Sequence, residues 1–565
     1  MIRILKPQLI RCCVTVILWC ATIAVQAQQD NLNKELILIR PYEPSVTDAQ
    51  KIGVLPDLND TVRIQPSFEY AIKSRRIDTH PDITPITAAK LQPLPQEKLY
   101  TGFIKAAMGT NATPFPLLEG VINTLRNDKY ALGALAKYNI SLGQIKMDDE
   151  KSKFGGYGEA KGEIFGQKFF RNSYMYGNLG ISGLETYNYG YHPDNDPHLD
   201  KTDIRKRYSF ADAQIGVRSS YFLTNKPNYI LQASYRYAGN KIKTPAAAKY
   251  KENAVKVEAE LDNNMFGGNF DFTYFSRNNT FDSLRNSLVA GINPWFIMDN
   301  DSIRLEVGMR IAAYRNSNGT LHPKVYPKVE FRFTLLKDVF IPFVGINGNL
   351  KINNFYNMVN ENPYITPGLT APVTNSWLNI YAGLKGSITT KFSYYLKVGF
   401  SSSENEYFFV NDTAFSKAQN HFTAVIDDLN TFDLESEILY NPVEQIELRL
   451  KIDYRYYEPS KEKYAWLRPC LETEFSAKYK LLNNKLMLTF DMYGLGKRYA
   501  KSFEAGEEPR LLKGVMDFNL GGEYRYLKNL SFFARLNNIT NAKYHRWNYY
   551  PSQRFNALVG ATLKF

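Results

Sequence analysis

From residue 99 onward, apolar and polar positions alternate with a period of two, stretch after stretch. In 446–456, Ile446, Leu448, Leu450, Ile452, Tyr454 and Tyr456 fall on one face, and Glu447, Arg449, Lys451, Asp453 and Arg455 on the other. The segment 254–261 sets Val255, Val257, Ala259 and Leu261 against Lys256, Glu258 and Glu260. In 471–479, Leu471, Thr473, Phe475, Ala477 and Tyr479 oppose Glu472, Glu474, Ser476 and Lys478. Successive strand side chains point to opposite faces, so this period predicts β-strands with one apolar and one polar face. Charges recur on the polar face, and unpaired buried charge is costly, so that face must meet water. A soluble sandwich shows the same alternation with its apolar face turned inward. So many long two-faced strands exceed what an ordinary sandwich holds.

Short polar connections recur between these strand patterns, at 126–129, 225–228, 262–264, 299–301, 336–338, 389–391, 441–444, 482–485 and 527–529. Longer connections alternate with them, at 183–204, 354–376, 402–432, 457–468, 497–513 and 541–553. Short turns on one side and long loops on the other characterise outer-membrane barrels. The pattern predicts an all-β fold over 99–565: a transmembrane antiparallel β-barrel of about 22 strands, with both barrel ends on the periplasmic side.

Composition sharpens this picture at three points. Tyrosine (39) and phenylalanine (35) are heavily used, as aromatic girdles at the membrane interfaces require. No stretch after residue 30 is apolar for long enough to cross a membrane as a helix. Residues 1–27 read as a signal peptide: Arg3, Lys6 and Arg11 precede an apolar run, and Val25-Gln26-Ala27 offers small residues at the cleavage site. Cleavage there would remove three basic residues from a formal charge of +13 and three of the four cysteines, leaving Cys470 without an internal disulfide partner. The remaining positive charge alternates along the chain rather than clustering, which argues against nucleic acid and for a surface facing lipopolysaccharide. Residues 28–98 carry eight prolines and almost no glycine, and proline disfavours long helices and central strands. They are expected to form a periplasmic arm.

The last strand pattern is the sharpest. Phe555, Ala557, Val559, Ala561, Leu563 and the terminal Phe565 alternate with Arg554, Asn556, Leu558, Gly560, Thr562 and Lys564. Phe555, Leu563 and Phe565 are the candidate signal for the barrel-assembly machinery. Leu536-Asn537-Asn538-Ile539-Thr540-Asn541-Ala542-Lys543-Tyr544, followed by Pro551, Arg554 and the Phe565 strand, resembles the last two strands of TonB-dependent receptors. The resemblance implies a barrel of about 22 strands in the outer membrane. That family carries a folded N-terminal plug, whereas the short Pro-rich segment here shows no plug pattern and no clear energy-coupling box.

Catalytic signatures are lacking: there is no phosphate-cradling Gly-rich loop with Lys-Ser/Thr, no His-Glu-x-x-His and no Gly-x-Ser-x-Gly. With six histidines and no obvious nucleophile beside any of them, a non-enzyme is expected. His192, Asp194, Asp196, His198 and Asp200 alternate through one expected extracellular loop. Carboxylates at every second position suit calcium, and histidines suit zinc. A hydrated turn is the plainer reading of the same residues. Trp295, Trp377, Trp466 and Trp547 lie near strand ends, where membrane-interface anchoring is the commoner role.

Two functions remain open. One is a receptor-like transport channel across the outer membrane, its wide lumen closed by the arm, by inward-folded loops or by a partner. The other is a non-transporting platform that holds a periplasmic or lipoprotein partner through 28–98.

Overall fold

The computed structural model describes residues 100–565 except 111–116, 126, 193–199, 221–226, 242–249, 264, 279–285, 316–318, 416–417 and 503–507. The expected signal and arm therefore lie outside the described residues, as does the question of a plug. Residues 1–92 and 93–565 form separate units.

The second unit is a closed, antiparallel, 22-stranded barrel. Each strand pairs with its chain neighbour, and the circle closes where Gly102–Gly109 pairs with Asn556–Lys564, from Phe103 opposite Lys564 to Gly109 opposite Leu558. The terminal Phe565 fastens this seam. Its carboxylate accepts hydrogen bonds from Thr101 N (2.7 Å) and Gly102 N (3.1 Å), while its own N–H donates to Gly102 O (3.0 Å). The aromatic rings of Phe555 and Phe565 and the side chain of Leu563 all lie exposed on the outer face.

The two-faced strands stand as the alternation predicts. Ile164, Leu179, Ile181, Ile215 and Val325 are each more than half exposed, forming part of an apolar band around the outside. The polar faces point inward. Along Ile446–Pro459, Lys451 pairs with Asp453 (2.9 Å) and Arg455 with Glu472 (3.2 Å). Around the wall, Arg310 meets Asp271 (2.8 Å) and Lys328 meets Glu306 (2.6 Å). Such a barrel is stable only with hydrocarbon outside and water within. No described helix is long and apolar enough to cross a membrane.

All nine expected short turns lie at one end of the barrel, together with a tenth at 170–172, and the long connections lie at the other. The long-loop end departs from the expectation in one place. Most of 402–432 is strand, because Phe392–Asn411 and Phe422–Tyr440 run for 20 and 19 residues where most of the wall strands have 13 or fewer. The extra residues carry the hairpin roughly 20 Å further along the strand direction. They remain ordered as strand because both faces are covered, one by Trp466 packed with Phe408 and Val410, the other by Trp547 against Phe409 and Phe422.

Candidate functional site

The described parts of these long loops do not stand apart in solvent; they contribute to one buried cluster across the barrel end. Its members come from nearly every long connection: Ile145 and Met147, Tyr189 and Tyr191, Phe355 to Ile365, Phe422, Leu467, Leu512, Trp547 and Tyr550. Three tyrosines form its centre. Tyr364 and Tyr550 stack at 4.0 Å, and Tyr189 meets the edge of Tyr550 at 4.9 Å. At Gly190 a Cβ would press on the Tyr550 ring and stand 2.9 Å from Tyr549 O, so glycine alone lets the chain pass there without displacing its neighbours.

Connectivity shows that this cluster bridges the opening. Asn188 follows the fifth wall strand, Ser173–Tyr187, and Asn420 precedes the sixteenth, Phe422–Tyr440, so the two lie half a circuit apart. Yet Asn188 Nδ2 donates to Asn420 O (2.6 Å), and Asn420 Nδ2 donates to Asn188 O (3.0 Å). Tyr550 Oη also donates to Asn420 O (2.6 Å), and Tyr189 Oη to Pro551 O (2.9 Å). Segments rooted on opposite walls can join directly only by reaching inward from the rim.

The largest contributor is a strap, 352–373, between Ile341–Lys351 and Thr374–Thr389. It begins with a one-turn-plus helix, Phe355–Glu361, whose start is fixed by Asn354 Oδ1 accepting from Asn357 N (2.9 Å). Phe355 packs on Tyr250 (4.5 Å), and Met358 and Val359 are fully buried beside it. Tyr356 meets the edge of Phe210 (5.0 Å), with the Arg236 guanidinium 3.9 Å over its ring. The wall grips the strap's backbone, because Tyr208 Oη donates to Pro363 O (2.8 Å) and Lys206 Nζ to Ile365 O (2.7 Å). Lys206 is buried, and no carboxylate among the described residues is within ion-pair distance of it. Further on, Ile365 bridges to Phe422 and Thr366 Oγ1 donates to Asp412 Oδ2 (2.6 Å).

Beneath the strap the lumen holds two cavities of about 750 and 740 Å³. Glu163, Asp212, Arg236 and Tyr356 help line the first, while Arg218, Asp271, Arg310 and Lys351 help line the second. Their walls mix both signs of charge.

Two titratable groups tie closure to pH. Asp148 joins three loops, through His545 (3.0 Å), Lys543 (3.1 Å) and Arg510 (2.9 Å). The hydrogen bond from His545, with those from Lys543 and Arg510, outweighs burial and holds its carboxyl well below the carboxylate range. For His421, burial and then the nearby Lys206 hold the imidazole well below its ordinary value, and its Nδ1 lies 2.8 Å from Asn420 Oδ1. Both groups are depressed in the closed state. Their contributions are therefore complete above the unfolded values and are lost on acidification, from about pH 6.5 downward for His421 and below about pH 4 for Asp148. Limited proteolysis of the loops should accelerate between about pH 7 and 5. His421→Gln should abolish that first step and leave the second, lower one; an unchanged profile would refute the assignment.

The expected cation-binding residues divide. Asp194, Asp196 and His198 lie outside the described residues. His192 packs its ring against Tyr549 (5.2 Å), and Asp200 O accepts from Asp203 N (3.0 Å) and Ile204 N (3.2 Å). Among the tryptophans, Trp377 is exposed on the outer face, as an interface anchor would be. Trp466 and Trp547 instead lie in the loop closure, and Trp295 on the inward face stacks under Lys328 (4.9 Å). A reading that treats long loops as solvated misses this. The sequence signal was their aromatic content, above all Tyr187-Asn188-Tyr189-Gly190-Tyr191 and Tyr549-Tyr550, which is too apolar for a hydrated loop.

No family profile and no curated protein sequence matches the chain. Solved structures do. The FrpB iron transporter of Neisseria meningitidis matches with a TM-score of 0.65 at 10% identity, over 83% of this chain and 82% of that one. The ferric-catecholate import receptor Fiu of Escherichia coli K12 gives 0.61 at 10% identity, over 83% and 82%. The siderophore receptor PirA of Acinetobacter baumannii gives 0.59 at 10% identity, over 82% and 80%. Likeness in shape at so low an identity speaks for architecture. With its closed circle of 22 strands, apolar outer band and loop-covered end, the chain has the barrel fold of the TonB-dependent receptors of the outer membrane.

Proposed function

We propose that this protein is a gated transport channel of the outer membrane, with the fused long loops as its closed gate and the charged lumen as its path. The carrying observation is the joint between Asn188 and Asn420, which spans the opening from opposite walls through side-chain and backbone hydrogen bonds. A platform has no use for a polar lumen sealed at one end by a separable joint. A transporter needs both, because an unsealed lumen of this width would leak. The solved relatives are described as iron, siderophore and ferric-catecholate transporters or receptors, which supports a receptor-type cargo path here. The platform reading rests on 28–98, outside the described residues.

A double substitution, Asn188→Cys with Asn420→Cys, tests the gate. In planar bilayers, the oxidised protein should stay closed and the reduced protein should show openings. Equal conductance in both redox states, with the cross-link verified by mass spectrometry, would sink the gate.

A further inference from the structure

A small pocket of about 200 Å³ lies where the loops 460–470, 496–514 and 538–555 meet the end of the strap helix. Its charge is unusual. Arg468, Arg498 and Arg546 line it, against Glu361 and Glu472. Three of these five are satisfied elsewhere: Arg468 by Glu406 (2.5 Å), Glu472 by Arg455 (3.2 Å) and Glu361 by the Tyr407 hydroxyl. Arg498 and Arg546 are not. Arg498 is 2% exposed, its two terminal nitrogens donate to the backbone carbonyls of His545 and Arg546, and its buried Nε has no acceptor among the described residues. Among the described residues no carboxylate forms an ion pair with either arginine. Burial, reinforced by repulsion from Arg546, pushes the Arg498 guanidinium down to about 10. A buried cation held only by carbonyls is a costly arrangement that an anion would relieve, and Arg546, itself exposed, adds a second positive charge to the same pocket.

The remaining wall is apolar and mostly aromatic, with Leu467, Pro469 and Leu495 among the rings. Phe409, Tyr493 and Trp547 line the pocket, with Trp466 beside them. Aromatic faces favour a planar or ring-shaped body. The excess over the lining carboxylates is a single positive charge, which matches a monoanion better than a phosphate dianion.

We infer that this pocket binds a small organic monoanion, one carboxylate on a six-membered ring, with Arg546 and Arg498 receiving the carboxylate and the aromatic wall receiving the ring. The inference rests on the channel reading for its purpose, since it names the chemical class of cargo the gate would sense. Its geometry stands independently. Ligand of this kind would also bridge loops 496–514 and 538–555 to the strap, through Glu361's neighbourhood, and so report its presence to the gate.

The test is calorimetric and fluorescence titration of the full detergent-solubilised chain with benzoate, using benzyl alcohol and inorganic phosphate as comparators. Benzoate should bind saturably and quench tryptophan emission, because Trp466 and Trp547 line the pocket. Benzyl alcohol and phosphate should bind at least tenfold more weakly. Arg546→Gln should weaken benzoate roughly tenfold or more, the worth of a charged hydrogen bond. Arg546 is exposed and its side chain makes no hydrogen bond or ion pair with another described residue, so this variant should fold unchanged, as its heat-modifiable migration would verify. No saturable benzoate binding, equal binding by the variant, or tighter binding of phosphate would each overturn the inference. None of these outcomes bears on the bilayer measurements that test the gate.

Discussion

Excision of the strap should turn a closed barrel into an open one. Lys351 and Thr374 are direct register partners on adjacent strands, so 352–373 leaves the wall and returns to it at a single point. A two-residue Asn-Gly turn can replace it without stretching either strand. The wall's own ladder is untouched by the change. What disappears is Phe355, Met358 and Val359 from the loop cluster, the carbonyls that hold Lys206 and Tyr208, and the Tyr356 partition above the first cavity. The lumen of so wide a barrel is water-filled when nothing occupies it. Single-channel conductance should therefore rise at least severalfold over the intact chain, with heat-modifiable migration retained. A folded, strapless barrel that stays silent would mean that something else closes the path, and the strap's part in gating would have to be abandoned.

The second large effect concerns closure of the wall itself. Gly560 lies in the last strand, opposite Phe533 on one side and Ala107 on the other. A Cβ there would stand 2.6 Å from both the Ala107 Cβ and the Phe533 ring, and it would also collide with the backbone carbonyl of Ala106. A side chain can rotate away, but a carbonyl in a β-ladder cannot move without breaking the pairing that closes the circle. Gly560→Val should thus cost more than the roughly 1–3 kcal/mol of ordinary overpacking. The expected readout is loss of the compact, heat-modifiable species and accumulation of unfolded chain. Val559→Leu, one residue away on the exposed outer face, is the control and should assemble normally. Normal assembly of the Gly560 variant would show that the seam can open and reclose around added volume.

The same seam explains why the terminal alternation was so legible. Phe555, Leu563 and Phe565 could be assigned to one face from sequence because strand geometry leaves no choice: every second residue points the same way. The inner and outer faces of Ile446–Pro459 were fixed for the same reason, with Asp453 buried inward and Tyr454 and Tyr456 exposed outward. Turn positions followed because Asn, Asp, Pro and Lys interrupt the alternation wherever the chain reverses. Local chemistry and a period of two were sufficient for all of these.

The loop closure was not available by that route. Asn188 and Asn420 are separated by 232 positions, and nothing local to either predicts the other. Phe422 and Trp547 meet at 5.7 Å, and Tyr364 stacks on Tyr550, only because the circle brings remote rims to face one another. The strand over most of 402–432 is hidden from a local reading for the same reason: whether that segment is loop or strand depends on Trp466 and Trp547 covering its two faces. The pocket at Arg498 and Arg546 likewise assembles three loops that share no sequence signal.

By itself, then, the sequence determined the strands, their inward and outward faces, the turns and the membrane they suit, since each of these follows from neighbouring residues and the solvent on either side. Only the tertiary structure decided that the long loops join across the end and which charges they leave unpaired. Those outcomes depend on contacts made after the chain has closed into a circle, where distance along the sequence no longer limits which side chains meet.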